Sequence, residues 1–542
     1  MSAGAMLTCR SIVLVLALAL VGCGDQRAQV DVTSSAPPPR APLPRPAEIT
    51  GTGVVVEPAQ LYELCRESYG LRGLFVARGL GAGVASSLGL PVTVAEHVDE
   101  SAPLRIAAAR VDGQDVWLVG VALRAPDKAI LAATGGESAP FRRETKDGVD
   151  RLIPVHEGGG FALAVAGNRL VVASNARALD VAAPFLGDPS STSFVPKPGD
   201  GPRFEGALPV AALDGARRAL PVSLPVAATP LPERWMSALA KVDTLTATIR
   251  VDASGVSVDA DATLPDDLGA VAGGSPAALL ALPADAEAAA TLWVDATDRR
   301  ADARSVASLL SGAAGDRQIA KATDALVALA DARGPETSLA FESSTRGPMV
   351  YGSLELADPA AADAALGALV RAFEEGADDA AGPDTKDASP AKTADAGGGK
   401  GATPPRATVS AKKTVLERVG DAYRLRVSIG AGASASVVVR LDGNRAAVAA
   451  AVDAEAALSK ITDSKDPLPR LAEVAAVREA VARLGDPVSA VIYVDPERLA
   501  RDRPRGDDGG RSVFVLGLTL AGTRMSVRAF ADARAARALL PR

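Results

Sequence analysis

Aromatic residues are scarce in this 542-residue chain, at 3% of the total. That leaves little surface on which bases or sugar rings could stack. Histidine occurs twice, as His97 and His156, each beside an acid (Glu96 and Glu157). Neither has a second histidine at metal-ligand spacing, so no zinc site is expected. No long basic run offsets a formal charge of −7, which speaks against a nucleic-acid partner. Cysteine is limited to Cys9, Cys23 and Cys65. Against these shortages stands a globular balance of 48% hydrophobic and 23% charged residues. The apolar share is mostly Ala, Val and Leu, so cores must be built from small aliphatic side chains. The length suits about three or four domain-sized units.

The cysteines point to a compartment. The chain opens MSAGAMLTCRSIVLVLALALVGCGDQ, in which Arg10 precedes an apolar run from Ile12 to Val21. That run is too short to span a bilayer, which needs roughly 20 residues, and it fits the apolar core of a signal peptide. Its end, Leu20-Val21-Gly22-Cys23, resembles the lipobox of bacterial lipoproteins. The resemblance implies cleavage between Gly22 and Cys23 and lipid on Cys23, with more than one acyl chain as stable anchoring requires. Gly24 follows the cysteine and Asp25 comes one position later than an inner-membrane retention signal, which implies the outer membrane, facing the periplasm. Residues 1–22 are then a signal peptide. With Cys9 removed and Cys23 acylated, Cys65 has no disulfide partner. It shares a helical face with Leu61 and Leu64 and reads as a small buried hydrophobe.

Residues 23–50 are rich in Pro and Ala and read as an extended, disordered tether. A second low-complexity run, 374–413, lacks large apolar residues and reads as a disordered insertion. Between these runs a short strand, an acidic residue and an amphipathic helix recur, with Glu57, Asp295, Asp358, Asp495 and Asp532 as the acids. An acid before a helix, often followed by Pro, is a capping signal rather than a catalytic pair.

Matched positions keep their order along the chain. Asp295 lies 238 residues after Glu57, and Pro359 lies 233 after Pro126. Arg424 lies 273 after Arg151, Gly443 276 after Gly167, Asp495 281 after Asp214, and Val527 269 after Val258. The one jump, of about 40, falls where the 40-residue run 374–413 lies. The pattern predicts a tandem duplication. One half is 51–264, with a larger lobe 51–187 and a smaller lobe 206–264. The other is 275–542, with a larger lobe 275–462 and a smaller lobe 486–542. Alternating segments such as TATIRVDASGVSVDADA predict an α+β fold of antiparallel sheets with helices on one face. The body broadly resembles exported bacterial proteins of unknown function built from repeated strand-helix units.

Motifs that could carry chemistry are few. Gly81-x-Gly83-x-x-Ser86 with Asp99 follows the order of a dinucleotide fingerprint. It lacks the third glycine, and Gly89 and Pro91 leave little room for its helix, so a loop is expected. Ser389-x-x-Lys392 and Ser410-x-x-Lys413 fall in the low-complexity run, where no oxyanion hole could be held rigid. Asp295, Asp298 and Asp302 do not follow calcium-loop spacing and read as a cap and a solvated helix face. Arg505-Gly506-Asp507 reads as a chance triplet. Gly167-Asn168-Arg169 and Gly443-Asn444-Arg445 read as a hairpin turn made twice. No catalytic, cofactor-binding or metal-ligating residue emerges. The expected role is a lipid-anchored cell-envelope protein that binds or scaffolds a protein partner without catalysis. A periplasmic carrier with an apolar cavity and a hydrolase are the alternatives.

Overall fold

The computed structural model describes residues 43–539, apart from 69–76, 137–138, 156–160, 198, 200, 211–230, 311–315, 345–346, 381–414, 429–433, 463–468 and 500–510. In chain order the first elements are β1 (Ile49–Val56), α1 (Pro58–Glu63), α2 (Leu80–Leu88), α3 (Val92–Ala95), β2 (Leu104–Val111), β3 (Gln114–Ala122), α4 (Pro126–Thr134), β4 (Phe141–Lys146), β5 (Val149–Pro154), β6 (Ala162–Ala166), β7 (Arg169–Ala173), α5 (Ala176–Gly187), β8 (Arg203–Pro209), α6 (Glu233–Leu239), β9 (Thr244–Val251) and β10 (Gly255–Thr263). Then come β11 (Ala288–Trp293), α7 (Ala296–Leu310), α8 (Asp316–Ala332), β12 (Arg333–Ser344), β13 (Gly347–Leu356), α9 (Pro359–Ala380), β14 (Val415–Val419), β15 (Ala422–Ser428), β16 (Ser434–Asp442), β17 (Arg445–Ala451), α10 (Ala454–Thr462), α11 (Ala475–Ala482), β18 (Ala490–Val494), α12 (Pro496–Leu499), β19 (Phe514–Ala521), β20 (Arg524–Asp532) and α13 (Ala533–Leu539). The fold is mixed α+β with extensive antiparallel pairing.

The chain forms two compact units. One comprises residues up to 224, 237–269 and 493 onward; the other comprises 225–236 and 270–492. In the first unit the strands lie in the order β4-β5-β6-β7-β3-β2-β1-β8-β9-β10-β20-β19, every neighbouring pair antiparallel. In the second the order is β14-β15-β16-β17-β13-β12-β11, again antiparallel, with β18 paired to β11.

The expectation of helices on one face fails for the central strands of the first unit. Ile106, Val119, Val121, Leu170 and Val172 pack with Leu61, Val84 and Ile130 of α1, α2 and α4. Their neighbours in the same strands, Ala107, Ala109, Leu118, Val171 and Ala173, pack with Leu179, Ala182 and Leu186 of α5. Both faces are covered. The physical cause lies in strands such as LRIAAARV and RLVVA, where both parities are apolar, so neither face could be left wet. The ribbon β9–β10–β20 does alternate. Thr244, Thr246, Arg250, Asp261, Thr263, Arg524 and Arg528 are exposed, while Ala247, Val251, Ala260 and Met525 are buried.

The strand β4 pairs only with β5 among the described strands, and after Phe141 its residues Arg142 to Lys146 are all exposed. Gly167 and Gly443 each open a two-residue hairpin, between Ala166↔Arg169 and Asp442↔Arg445. Glycine takes φ of 55° and 56° there, whereas neither asparagine has positive φ. That is the requirement of a II′ turn, so the glycine, and not the Gly-Asn pair, is the conformational necessity.

A ring spans the junction of β1 and β8. A Cβ on Gly53 would lie 2.4 Å from Cε2 of Phe204, and one on Gly206 would lie 2.7 Å from its Cζ. The phenyl group occupies the space that two side chains would otherwise fill. Gly53→Val should therefore overpack this junction and lower unfolding stability by about 1–3 kcal/mol. Urea denaturation of the variant checks this; an unchanged midpoint would show that Phe204 yields without cost.

Candidate functional site

Several sequence-derived candidates fall outside the described residues: Gly22, Cys23, His156, Glu157, the two Ser-x-x-Lys motifs and Arg505-Gly506-Asp507. His97 is half-buried just beyond α3, and its backbone carbonyl accepts from Arg124 N at 2.8 Å. Among the described residues no group of three His, Cys, Asp or Glu side chains could hold a metal. Cys65 is buried and free, and burial pushes its thiol up to about 12, as suits a packing residue.

The glycine-rich segment is not the expected loop. It forms the nine-residue helix α2. A Cβ on Gly83 would lie 2.6 Å from the Tyr62 ring, and one on Gly81 would lie 2.6 Å from Ala95 O. These glycines let α2 approach α1 and α3 closely. Its N-terminus already holds an anion, since Gly81 N donates to Glu100 Oε1 at 2.7 Å. Helix N-termini attract negative charge, and here the chain supplies its own.

Four of the recurring acids act as caps. Asp295, Asp358, Asp495 and Asp532 accept from Asp298 N, Ala361 N, Arg498 N and Ala535 N respectively. Glu57 departs from the pattern: it takes a left-handed conformation with φ 50° and makes no side-chain cap. Asp298 was expected on a solvated face but is only 2% exposed. Trp235 Nε1 donates to it at 2.9 Å, and Arg234 pairs with both Asp298 and Asp295 at 2.9 Å. Burial raises the Asp298 carboxyl above its usual range, against the pull of Arg234. Trp235 itself is fully buried. A residue more than 60 positions away therefore turned an apparently wet acid into an anchor.

The arginine of each Gly-Asn-Arg reaches across its sheet. Arg169 donates to Pro103 O at 2.9 Å and Gly120 O at 3.2 Å. Burial lowers it to about 10, and the nearby Arg105 adds to the effect. Arg445 donates to Ser353 Oγ at 3.1 Å and Glu336 Oε1 at 3.0 Å. Both are staples between strands.

Two arrangements escaped sequence reasoning. In the second unit, Asp285, Glu342, Tyr351 and Lys460 converge from a loop, β12, β13 and α10. Tyr351 Oη donates to Asp285 Oδ1 and Glu342 Oε2, both at 3.2 Å. Lys460 Nζ donates to Asp285 Oδ2 at 2.7 Å and also to Glu342. Burial, then the two carboxylates, push the Tyr351 phenol upward. Burial pulls the Lys460 ammonium down, but its hydrogen bonds to Asp285 and Glu342 outweigh this and hold it above its usual value. The quartet fixes both groups in their resting protonation states and ties four segments together.

In the first unit a groove of about 660 Å³ lies across the ends of β9, β10 and β20. Thr244, Thr246 and Thr263 give it hydroxyls, and Leu264, Pro265 and Met525 give it apolar surface. Of its charges, Lys241 is paired with Asp266 at 2.6 Å and Asp261 accepts from Ser526. Asp243 and Arg524 also line it, and neither side chain has a partner among the described residues. This is the candidate binding site. Its charged members sit 281 positions apart in sequence, so no local signal could have joined them.

No protein-family model, curated protein or solved structure matches this chain.

Removing the ammonium of the quartet should leave two carboxylates facing one another. Lys460→Met is expected to lower stability by about 1 kcal/mol. A folded-state value above the ordinary 10.5 means that the ammonium's contribution is complete below that value. It is lost as pH rises through the folded value. Urea midpoints of wild type and variant should differ equally at neutral pH and at about pH 9, then converge in stronger alkali. A gap already closed at about pH 9 would contradict the arrangement.

Proposed function

We propose that this protein is a lipid-anchored lipoprotein of the bacterial cell envelope, held by acyl chains on Cys23 at the periplasmic face of the outer membrane. Its duplicated α+β body works there as a binding or scaffolding module for an envelope partner. The observation that carries the anchor is the leader itself: Arg10, a short apolar core, then Leu20-Val21-Gly22-Cys23. Of the stretch 23–50, the part ahead of β1 serves as the tether between lipid and body, since Ile49 and Thr50 already belong to that strand.

The duplication is supported by strand register. The spatial order of β1–β8 is repeated by β11–β18. The pair Ala166↔Arg169 matches Asp442↔Arg445, each residue shifted by 276. Arg105↔Gly120 matches Ser338↔Ser353, each shifted by 233. Val251↔Val256 matches Leu520↔Met525, each shifted by 269. The staple arginines agree as well. Arg169 reaches positions 103 and 120, and Arg445 reaches 336 and 353, again shifted by 233. Asp259 faces Arg528 in the β10–β20 ladder, and Arg528 stands in β20 where Asp259 stands in β10. A local two-fold axis therefore relates the two hairpins.

A binding role, rather than catalysis, is supported by the state of the potential nucleophiles and bases. Burial makes Cys65, Tyr351, Tyr423 and Tyr493 harder to ionise, which is the reverse of activation. The groove, by contrast, keeps Asp243 and Arg524 without a side-chain partner among the described residues.

Metabolic labelling with a palmitate analogue tests the anchor. Wild-type protein should carry the label and fractionate with outer membranes, and Cys23→Ala should lose both properties. Equal label in the variant would overturn it.

A further inference from the structure

We propose that the groove at the ends of β9, β10 and β20 binds a short peptide of two or three residues through its free amino and carboxylate termini. Asp243 takes the ammonium and Arg524 the carboxylate. This names the ligand for the binding reading given above and rests on that reading, though not on the lipid anchor.

The ladders give the spacing of the strands that carry the charges. Thr246 faces Asp261 in the β9–β10 ladder, and Thr263 faces Arg524 in the β10–β20 ladder. Asp243 precedes β9 at the same end of the ribbon at which Arg524 begins β20. Strands two apart in a sheet are separated by ~10 Å, which sets the distance between the backbone origins of Asp243 and Arg524. An extended peptide spans about 3.3–3.6 Å per residue, so two or three residues bridge the gap. The exposed hydroxyls of Thr244, Thr246 and Thr263 both donate and accept, as peptide N–H and C=O groups between the termini require. Arginine presents a planar fork suited to a carboxylate.

The comparison with the second hairpin strengthens the assignment. At the shift of 269 that relates the hairpins, Ser512 stands for Asp243 and Asp532 for Thr263. There the polar groups are consumed internally. Ser512, fully buried, donates to Asp495 Oδ1 at 2.5 Å. Asp532 accepts from Val513 N at 3.0 Å and from Ala535 N at 2.7 Å, so capping α13. At the position of Arg524 stands Gly255, whose Cβ would lie 2.1 Å from Ala531 O. One corner of the ribbon is closed by its own hydrogen bonds. The other holds a cation and a carboxylate, Arg524 and Asp243, unpaired among the described residues, and three exposed hydroxyls around open space.

The test is titration of the mature protein with trialanine, followed by isothermal calorimetry and by amide chemical shifts. Saturable binding is expected, with shifts confined to the ends of β9, β10 and β20. Arg524→Gln and Asp243→Asn should each weaken it by at least about tenfold, which is ~1.4 kcal/mol. Arg250→Gln, at the far end of the same ribbon, should leave it unchanged. Trialanine acetylated at its N-terminus and amidated at its C-terminus should not bind the wild type. Three results would overturn the proposal: no saturation by trialanine, equal binding of the blocked peptide, or unaltered affinity in both variants. Capture of an envelope protein by a body that ignores trialanine would leave the binding role standing and remove only the peptide.

Discussion

The first unit depends on the ladder between β10 and β20. Its nine backbone pairs run from Gly255↔Asp532 to Thr263↔Arg524 and join segments more than 260 residues apart. Closing so long a loop costs little more than closing one half its size, because the entropy grows only with the logarithm of length. What the ladder adds is large by comparison. It brings Ala531, Ala535 and Ala536 into the core that contains Val55, Leu61 and Ile106, and it carries Arg524 to the groove. At its middle Asp259 bonds Arg250 at 2.6 Å and faces Arg528. A second copy of β10 in the same register would set Asp259 against Asp259, and like charges directly opposite destabilise a sheet. The charge pair therefore favours the partner within the chain.

Local features were legible from the residues alone. Capping by Asp295, Asp358, Asp495 and Asp532, burial of Cys65 and the hairpins at Gly167 and Gly443 all follow from chemistry within a few positions. The alternation of β9 and β10 revealed their wet face. The reading weakened wherever a distant segment decided the outcome. Apolar residues of both parities in LRIAAARV signalled burial on both sides, yet the alternating ribbons elsewhere suggested one covered face. Gly89 and Pro91 argued for a loop, yet Tyr62 and Ala95 reward a close approach by glycines and Glu100 satisfies the exposed helix end. Asp298 looked solvated because Trp235 and Arg234 lie far from it in sequence.

The two Gly-Asn-Arg segments hold their arginines in two ways. Arg169 is buried on backbone carbonyls, and desolvation lowers its affinity for the proton. Arg445 remains exposed and reaches side chains, including the carboxylate of Glu336. A guanidinium staple thus tolerates a wet or a dry setting, because it carries enough donors to bind two acceptors of either kind. The quartet around Lys460 shows the opposite economy, with one ammonium shared by two carboxylates and a phenol.

Among the described strands β4 ends its sheet, with Arg142, Arg143, Glu144, Thr145 and Lys146 all exposed. An unpaired strand is a template on which a neighbouring molecule can add its own backbone. A border of mixed, densely charged side chains makes such an encounter costly, since any docking strand must strip water from several ions. The edge thereby disfavours the addition of a strand from a second copy.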